Sequence, residues 1–124
     1  MARALKPLKP GLRIVGVEPA EAPFISQGRF QPHRMMGTAP GFVPGVLDRE
    51  LIDEITLVTE EEAFRTCREL AEKEGILVGI SSGASVRAAL DLASRPEHRD
   101  QVLVCVLCDS GERYLSVQGL FDSD

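Results

Sequence analysis

The stretch GILVGISSGASVRAAL, residues 75–90, decides the fold class, because an apolar run passes directly into two serines, a glycine and a second apolar pattern. The run ILVGI, residues 76–80, is typical of a strand covered on both faces. From about Ser82 to Ala93 the spacing predicts a helix with one apolar stripe, formed by Val86, Ala89, Leu90 and Ala93. A strand that ends in small polar residues and continues as a helix is typical of an α/β domain.

Three further runs of apolar and β-branched residues predict strands on either side of this stretch. They are LRIVGVEP (12–19), EITLVT (54–59) and QVLVCVL (101–107). Because these runs are nearly continuous rather than alternating, we expect both faces of each strand to be buried, as in a parallel sheet.

A helix is predicted over residues 60–73. Thr59 and Glu62 have the spacing of a capping box, and Gly75 is typical of a helix end. The resulting order of strand, helix, strand-like run, helix and strand predicts an α/β fold with a mainly parallel sheet flanked by helices. Residues 20–47, which are rich in proline and glycine, predict a long loop.

Length and charge limit the function classes. The 124 residues suffice for one domain, and the net charge of -5 argues against a nucleic-acid partner. The chain has no apolar run of about 18 residues and no signal-peptide pattern, so we expect a cytoplasmic protein without a membrane partner. The basic N-terminal residues predict a solvated helix face rather than a phosphate site: Arg3, Lys6, Lys9 and Arg13.

The three cysteines, an odd number, predict free thiols. Cys105 and Cys108 have a C-x-x-C spacing, which permits metal or redox chemistry. The sequence has no second such pair, however, and His33 and His98 lie at no ligand spacing. We therefore predict no metal site and interpret all three cysteines, Cys67 included, as buried small hydrophobic residues.

Ser81, Ser82 and Gly83 follow the predicted strand at the place where parallel sheets bind ligands. The N-terminus of the next helix offers unpaired N–H groups, and each serine adds a hydroxyl that donates or accepts a hydrogen bond. In a structural alternative, one of the two serines is only the helix N-cap. The residues alone leave both interpretations open.

Four stretches occur in a set order: GVEPAEAP (16–23), PGFVPGVLD (40–48), GILVGISSGASVRAAL (75–90) and DSGERYLS (109–116). Together they resemble the C-terminal part of cysteine synthase, the pyridoxal-phosphate-dependent O-acetylserine sulfhydrylase, from about Leu12 to the end of the chain. The resemblance implies part of the type II pyridoxal-phosphate fold, an amino-acid substrate, and the conversion of O-acetylserine and sulfide to cysteine and acetate. It also implies dimers, which members of this family form.

The resemblance implies roles for individual residues. Ser81 occupies the position whose hydroxyl bonds to the pyridine nitrogen of the cofactor, and the further candidates for cofactor binding are Gly79, Ser82 and Cys108. The substrate-entrance loop of the family corresponds to a stretch that includes Met36, Gly37 and Gly41. Met36 stands where the family commonly has glutamine, and Cys108 where it usually has proline. The sulfur donor and the amino-acid substrate are therefore left open.

The Schiff-base lysine and the glycine-rich phosphate loop of the family have no counterpart here, since Lys6, Lys9 and Lys73 match no motif. We therefore interpret residues 1–124 as a C-terminal fragment without catalytic residues that is inactive alone, its N-terminal part being absent or a separate chain. Three alternatives stay open: a peptide-binding module for serine acetyltransferase, a non-functional gene remnant, and a cystathionine β-synthase-like enzyme.

Overall fold

Two parallel strands and two long helices form the centre of the fold in the computed structural model, which describes residues 1–122. Strand β1 spans Val15–Pro19 and strand β2 spans Glu54–Val58. They pair in parallel, with Val15 opposite Glu54 at one end and Pro19 opposite Val58 at the other. The expected parallel pairing within an α/β fold is confirmed, and the sheet has two strands within the described residues.

Short elements surround the strands. Helix α1 spans Ala2–Leu5, helix α2 spans Phe24–Gln27, and a 3-10 turn covers Arg49–Leu51. The rest of the predicted loop 20–47 is irregular. The buried carboxylate of Glu18, at the end of β1, accepts hydrogen bonds from backbone N–H groups of α2, at 2.6 Å from Ile25 and 3.0 Å from Ser26.

Helix α3 spans Glu60–Glu69 and continues as a π-helical turn over Leu70–Glu74. The capping box is formed as predicted: the Thr59 hydroxyl accepts from the N–H of Glu62 at 3.2 Å, and the Glu62 carboxylate accepts from the N–H of Thr59 at 2.9 Å. Gly75 ends the helix at a φ of 69°, a left-handed conformation that glycine adopts at little cost.

Helix α4 spans Ile80–Ala93 and differs from the sequence prediction in two respects. It begins two residues earlier than predicted, with Gly79 as its N-cap, so neither serine caps it. Its apolar contacts also lie on another face: the predicted stripe residue Leu90 is exposed, and the buried positions are Ile80, Ser82, Gly83, Ala84, Ala88 and Leu92. Between Ile80 and Leu92 the buried positions of this face are all small residues, because α4 packs closely on α3 at Gly83.

The contact between α3 and α4 depends on Gly83. A Cβ at this position would lie 2.4 Å from Sγ of Cys67 and 2.5 Å from the carbonyl oxygen of Ala63, which is closer than any side chain tolerates. Cys67 is buried as predicted, and its thiol donates to the carbonyl of Gly79 at 3.4 Å. Burial raises the pKa of this thiol to about 11. The core extends from this contact to Met35, Val58, Phe64, Val78 and Leu120.

The prediction of a strand over residues 101–107 is wrong. The segment has no regular structure, and Val102 and Val104 are 90% and 86% exposed. A strand requires a neighbour to hydrogen-bond, and β1 and β2 pair with each other without reaching this segment. The run 76–80 is likewise not a strand: Val78 makes a single antiparallel bridge to Ser110, and Ile80 already belongs to α4.

The basic N-terminal residues pair with carboxylates near β2. Lys6 lies 2.7 Å from Asp53, and Arg3 and Arg13 pair with Asp48 and Glu54. The hydrogen bond from Lys6 holds the pKa of Asp53 below its usual range. Within residues 1–122, no helix is long and apolar enough to cross a membrane.

Candidate functional site

A cavity of about 360 Å³ lies at the N-terminus of α4. Its walls come from four parts of the chain: Val17 of β1, residues 36–38 of the long loop, one side of α4, and the segment from Cys108 to Tyr114. Helix α4 contributes Ser81, Ala84 and Ser85. The structure therefore brings four predicted site residues, Met36, Gly37, Ser81 and Cys108, to one cavity.

The hydroxyl of Ser81 is available to a ligand. Within residues 1–122 it makes no hydrogen bond to protein, whereas three other hydroxyls on the cavity wall are engaged. Thr38 donates to the carbonyl of Met35 at 2.6 Å, Ser85 to that of Ser81 at 3.1 Å, and Tyr114 to the carboxylate of Asp109 at 2.5 Å. Ser81, which is half-buried, thus carries the hydroxyl of this wall that has no protein partner among the described residues.

Ser82 is buried behind the cavity wall. Its hydroxyl accepts a hydrogen bond from the backbone N–H of Cys108 at 3.1 Å and so ties the C-terminal segment to α4. The Cys108 side chain is exposed and lines the cavity, and Cys105 is exposed as well. The interpretation of these two cysteines as buried residues is wrong, because the segment that carries them does not enter a sheet.

Gly79 makes room for the carboxylate of Asp109. A Cβ at residue 79 would lie 2.0 Å from Oδ1 of Asp109 and 2.7 Å from Cε2 of Tyr114. The backbone N–H of Gly79 also donates to the carbonyl of Asp109 at 3.2 Å. The hydrogen bond to Asp109, followed by burial, raises the pKa of Tyr114. The absent side chain of Gly79 therefore makes the Asp109–Tyr114 pair possible.

The loop that carries Met36 is fixed by its two preceding residues. The backbone N–H and guanidinium of Arg34 bind the Glu60 carboxylate at 2.5 and 3.0 Å, and the guanidinium lies 4.7 Å from the Phe64 ring centre. Burial acts to raise the pKa of Glu60, but the hydrogen bonds from Arg34 outweigh it and the pKa is lowered. Met35 is fully buried in the core, so Met36 reaches the cavity from a fixed position.

Gly41, by contrast, lies outside this cavity. It has a φ of 81°, and a Cβ there would lie 3.1 Å from the ring of Phe30. Of the predicted loop residues, Met36 and Gly37 therefore face the site and Gly41 shapes the loop.

Sequence reasoning missed Asp109, Tyr114, Thr38 and Ser85 as wall residues. The sequence predicts a structural role for GERYL, with Tyr114 in local hydrogen bonds behind the site, whereas Asp109 and Tyr114 line the cavity itself. Tyr114 is the single tyrosine of the chain, and an acidic residue five positions before it was an available signal. The local pattern does not predict that Asp109 and Tyr114 lie beside Ser81, because they are distant from α4 in the sequence.

A second cavity, of about 290 Å³, lies beside the start of β2. Its charged residues are already engaged: Arg49 donates to the carbonyl of Ile25, Asp53 binds Lys6, and Glu54 binds Arg13 and Arg95. This cavity therefore offers little to a charged ligand.

Comparison with known proteins places these features in a family. The pyridoxal-phosphate dependent enzyme family matches residues 1–109. A probable cysteine synthase from Bacillus subtilis is 48% identical over 113 residues, and O-ureido-L-serine synthase from Streptomyces lavendulae is 45% identical over 124 residues. These matches cover 91% and 98% of this chain but 36% and 37% of the relatives, so the chain spans about a third of their length.

Solved structures agree with this comparison. The crystal structure of cysteine synthase from Entamoeba histolytica superposes with a TM-score of 0.91 at 35% identity, covering 94% of this chain and 34% of the other. That of O-ureido-L-serine synthase superposes with a TM-score of 0.90 at 42% identity, covering 99% and 40%. The fold is thus that of part of a type II pyridoxal-phosphate enzyme, and the chain belongs to the pyridoxal-phosphate dependent enzyme family.

Proposed function

We propose that this chain is the C-terminal part of a cysteine synthase that converts O-acetylserine and sulfide to cysteine and acetate, and that it forms one wall of the cofactor and substrate site. The observation that carries the proposal is the unpaired hydroxyl of Ser81 on the wall of a cavity that also includes Met36, Gly37 and Cys108. The family match and the cysteine synthases among the relatives support it.

The lining of the cavity supports a site for the pyridine ring of pyridoxal phosphate, because apolar side chains there surround the hydroxyl of Ser81. Ser81 would donate its hydroxyl proton to the ring nitrogen, and a neutral partner leaves that nitrogen without the full charge that a carboxylate would favour. When bound, the cofactor supplies an electron sink for the amino acid at its α carbon. Gly79, Ser82 and Cys108 would hold the wall around Ser81 rather than bind the ring: Ser82 fixes the backbone of Cys108, and Gly79 admits Asp109.

Within residues 1–122, no lysine lines the cavity. Lys6 pairs with Asp53 and Lys73 with Glu69, and Lys9 is not among the residues that line the cavity. We infer that the Schiff-base lysine and the phosphate loop come from residues outside these 124. The exposed apolar segment 101–107 supports this inference, because it offers a surface on which such residues can pack.

Complementation tests the proposal. The chain is co-expressed with the N-terminal two thirds of the Bacillus subtilis relative, and cofactor absorbance and cysteine formation are measured. We expect both to appear, and Ser81→Ala to lower turnover or cofactor affinity about ten- to a hundredfold, as expected for loss of a hydrogen bond worth about 1–3 kcal/mol.

Ser94→Ala is the matched control, because Ser94 lies at the other end of the same helix and donates only to the carbonyl of Asp91. A folded complex that binds cofactor equally well with serine or alanine at position 81 would contradict the proposed role. Binding of a serine acetyltransferase tail peptide by the chain alone, without cofactor binding by the complex, would favour the peptide-binding alternative.

A further inference from the structure

Two of the three thiols of the chain are exposed and lie three residues apart in the sequence. Cys105 and Cys108 are both exposed, and the Cys108 thiol leans back along the chain, since it donates to the carbonyl of Val106 at 3.8 Å. The third thiol, that of Cys67, is buried, and burial raises its pKa to about 11. Thiol–disulfide exchange needs an accessible thiolate. The pair at positions 105 and 108 is therefore open to a disulfide reagent, whereas Cys67 is shielded from it.

The backbone between the two exposed cysteines is held by no secondary structure. Segment 101–107 is irregular, and within residues 1–122 no N–H group of residues 102–107 donates to a backbone carbonyl. The distance between the Cα atoms of Cys105 and Cys108 is set by the dihedral angles of the two residues between them, Val106 and Leu107. A disulfide requires about 4.4–6.8 Å between these Cα atoms. A turn centred on residues 106 and 107 brings them within about 7 Å, so the free segment can meet this requirement.

The same segment has a different shape when it forms a strand. The run QVLVCVL (101–107) has the composition of a strand covered on both faces, and its exposed valines offer a surface for residues outside these 124. In a strand each residue advances about 3.3 Å, so the Cα atoms of Cys105 and Cys108 would lie about 10 Å apart, with their side chains on opposite faces. This distance is too long for a disulfide. The strand and the disulfide therefore exclude each other.

Resting on the proposed function, we propose that Cys105 and Cys108 form a reversible disulfide that bends segment 101–107 and keeps the chain from joining the N-terminal part of the enzyme. The oxidant is a low-molecular-weight disulfide, for which oxidised glutathione is the probe. One cysteine thiolate attacks a sulfur of the reagent, breaks its S–S bond and releases one glutathione thiolate. The other cysteine thiolate then attacks the mixed disulfide and releases the second. The two cysteines lose two electrons and two protons, and the reagent gains them as two thiols.

The exclusion acts in both directions. If the disulfide weakens assembly by some factor, assembly disfavours the disulfide by the same factor, because coupling between two equilibria is reciprocal. The bend also ends at the cavity, since Cys108 lines it and the N–H of Cys108 donates to Ser82. An exposed disulfide is readily reduced by thiols, so the reduced chain can be recovered.

Mass spectrometry of the chain alone tests closure of the disulfide. The dilute chain is incubated with oxidised glutathione, unfolded and alkylated. We expect the mass to fall by two hydrogens, a peptide that links Cys105 to Cys108, and alkylation at Cys67 alone. Cys105→Ser is the matched control, because it removes one exposed thiol and should leave a glutathione adduct on Cys108. A lasting glutathione adduct on the unsubstituted chain, or two copies linked through Cys105 as the main product, would overturn the proposal.

Binding to the N-terminal two thirds of the Bacillus subtilis relative tests the exclusion. We expect the oxidised chain to bind about tenfold or more weakly than the reduced chain, dithiothreitol to restore binding, and the disulfide to close about tenfold or more slowly in the preformed complex. The double variant Cys105→Ser with Cys108→Ser is the matched control, and treatment with oxidised glutathione should leave its binding unchanged.

Equal binding by the oxidised and reduced chains, or equal rates of closure in the free and assembled chain, would overturn the exclusion and leave the proposed function standing. A reduced chain that does not assemble would overturn the proposed function and the exclusion with it. The disulfide itself is decided by the mass of the chain alone.

Discussion

At the scale of single residues, two adjacent serines serve different parts of the structure. Successive residues of a helix point about 100° apart, so Ser81 faces the cavity while Ser82 faces the core and accepts from the N–H of Cys108. From the sequence, either serine was an acceptable cap or ligand. The two roles differ because Cys108 hydrogen-bonds to Ser82 and not to Ser81. This contact joins residues far apart in the sequence, so a local pattern does not predict it.

Gly79 gives a prediction at this scale. In Gly79→Ala the new methyl group would displace the Asp109 carboxylate and break its hydrogen bond to Tyr114. We expect a loss of about 2 kcal/mol in the free energy of unfolding, the usual cost of overpacking or of losing a hydrogen bond to a charged group. Urea denaturation followed by circular dichroism measures this loss.

A spectroscopic titration of Tyr114 identifies the cause. Since Asp109 raises the pKa of Tyr114, displacing that carboxylate should lower the pKa toward its ordinary value. Gly45→Ala is the control, because a Cβ there meets nothing within 4 Å. If the pKa of Tyr114 is the same in Gly79→Ala as in the unsubstituted chain, the hydrogen bond between Asp109 and Tyr114 does not depend on the space at residue 79.

At the scale of elements, local signals were reliable and non-local ones were not. The capping box at Thr59 and the glycine stop at residue 75 involve neighbours in sequence, and both were predicted correctly. The segment 101–107 has an equally clear strand composition but no strand beside it to pair with. The buried face of α4 was misjudged for a similar reason: the close contact at Gly83 selects small residues over large apolar ones.

The capping box gives a prediction at this scale. Thr59→Val keeps the side-chain shape but removes the hydroxyl that accepts from the N–H of Glu62. We expect a loss of about 1 kcal/mol in the free energy of unfolding, typical of an N-cap. Thr56→Val is the matched control in β2, because its buried hydroxyl has no hydrogen-bond partner among the described residues. A larger loss from Thr56→Val than from Thr59→Val would contradict this account.

At the scale of the whole molecule, the outstanding feature is apolar surface that stays exposed. Leu90 of α4 and the alternate valines of segment 101–107 lie in solvent, although the sequence predicted burial of that segment on both faces. The chain spans about a third of its relatives' length. A nearly continuous apolar run is typical of a strand that is covered on both faces. The composition of segment 101–107 therefore predicts that both of its faces are covered, and residues 1–122 do not provide that cover.

Self-association of the isolated chain follows from this surface. We expect Val102→Lys combined with Val104→Lys to reduce oligomer formation in sedimentation velocity without lowering the melting temperature, since both side chains are almost fully exposed. The two lysines change the net charge from -5 to -3, which on charge alone would favour association. Reduced association would thus come from the lost apolar surface.

Gln101→Lys is the control for the added charge, because Gln101 is exposed and polar. If this variant reduces association as strongly as the double variant, charge rather than apolar surface governs the self-association. A monomeric unsubstituted chain at all accessible concentrations would contradict the prediction directly.

The parallel pairing of β1 with β2 has a kinetic consequence. Val15 and Glu54 pair across a long, mostly irregular connection, whereas α3 and α4 are joined by a short one. Contacts that close long loops form slowly. Doubling the length of a loop nevertheless raises the free-energy cost of closing it by only about 0.6 kcal/mol. We therefore expect the helix pair to form early in folding and the strands to join last. Val17 of β1 completes the cavity wall, so the ability to bind a ligand would be acquired only in the final folding step.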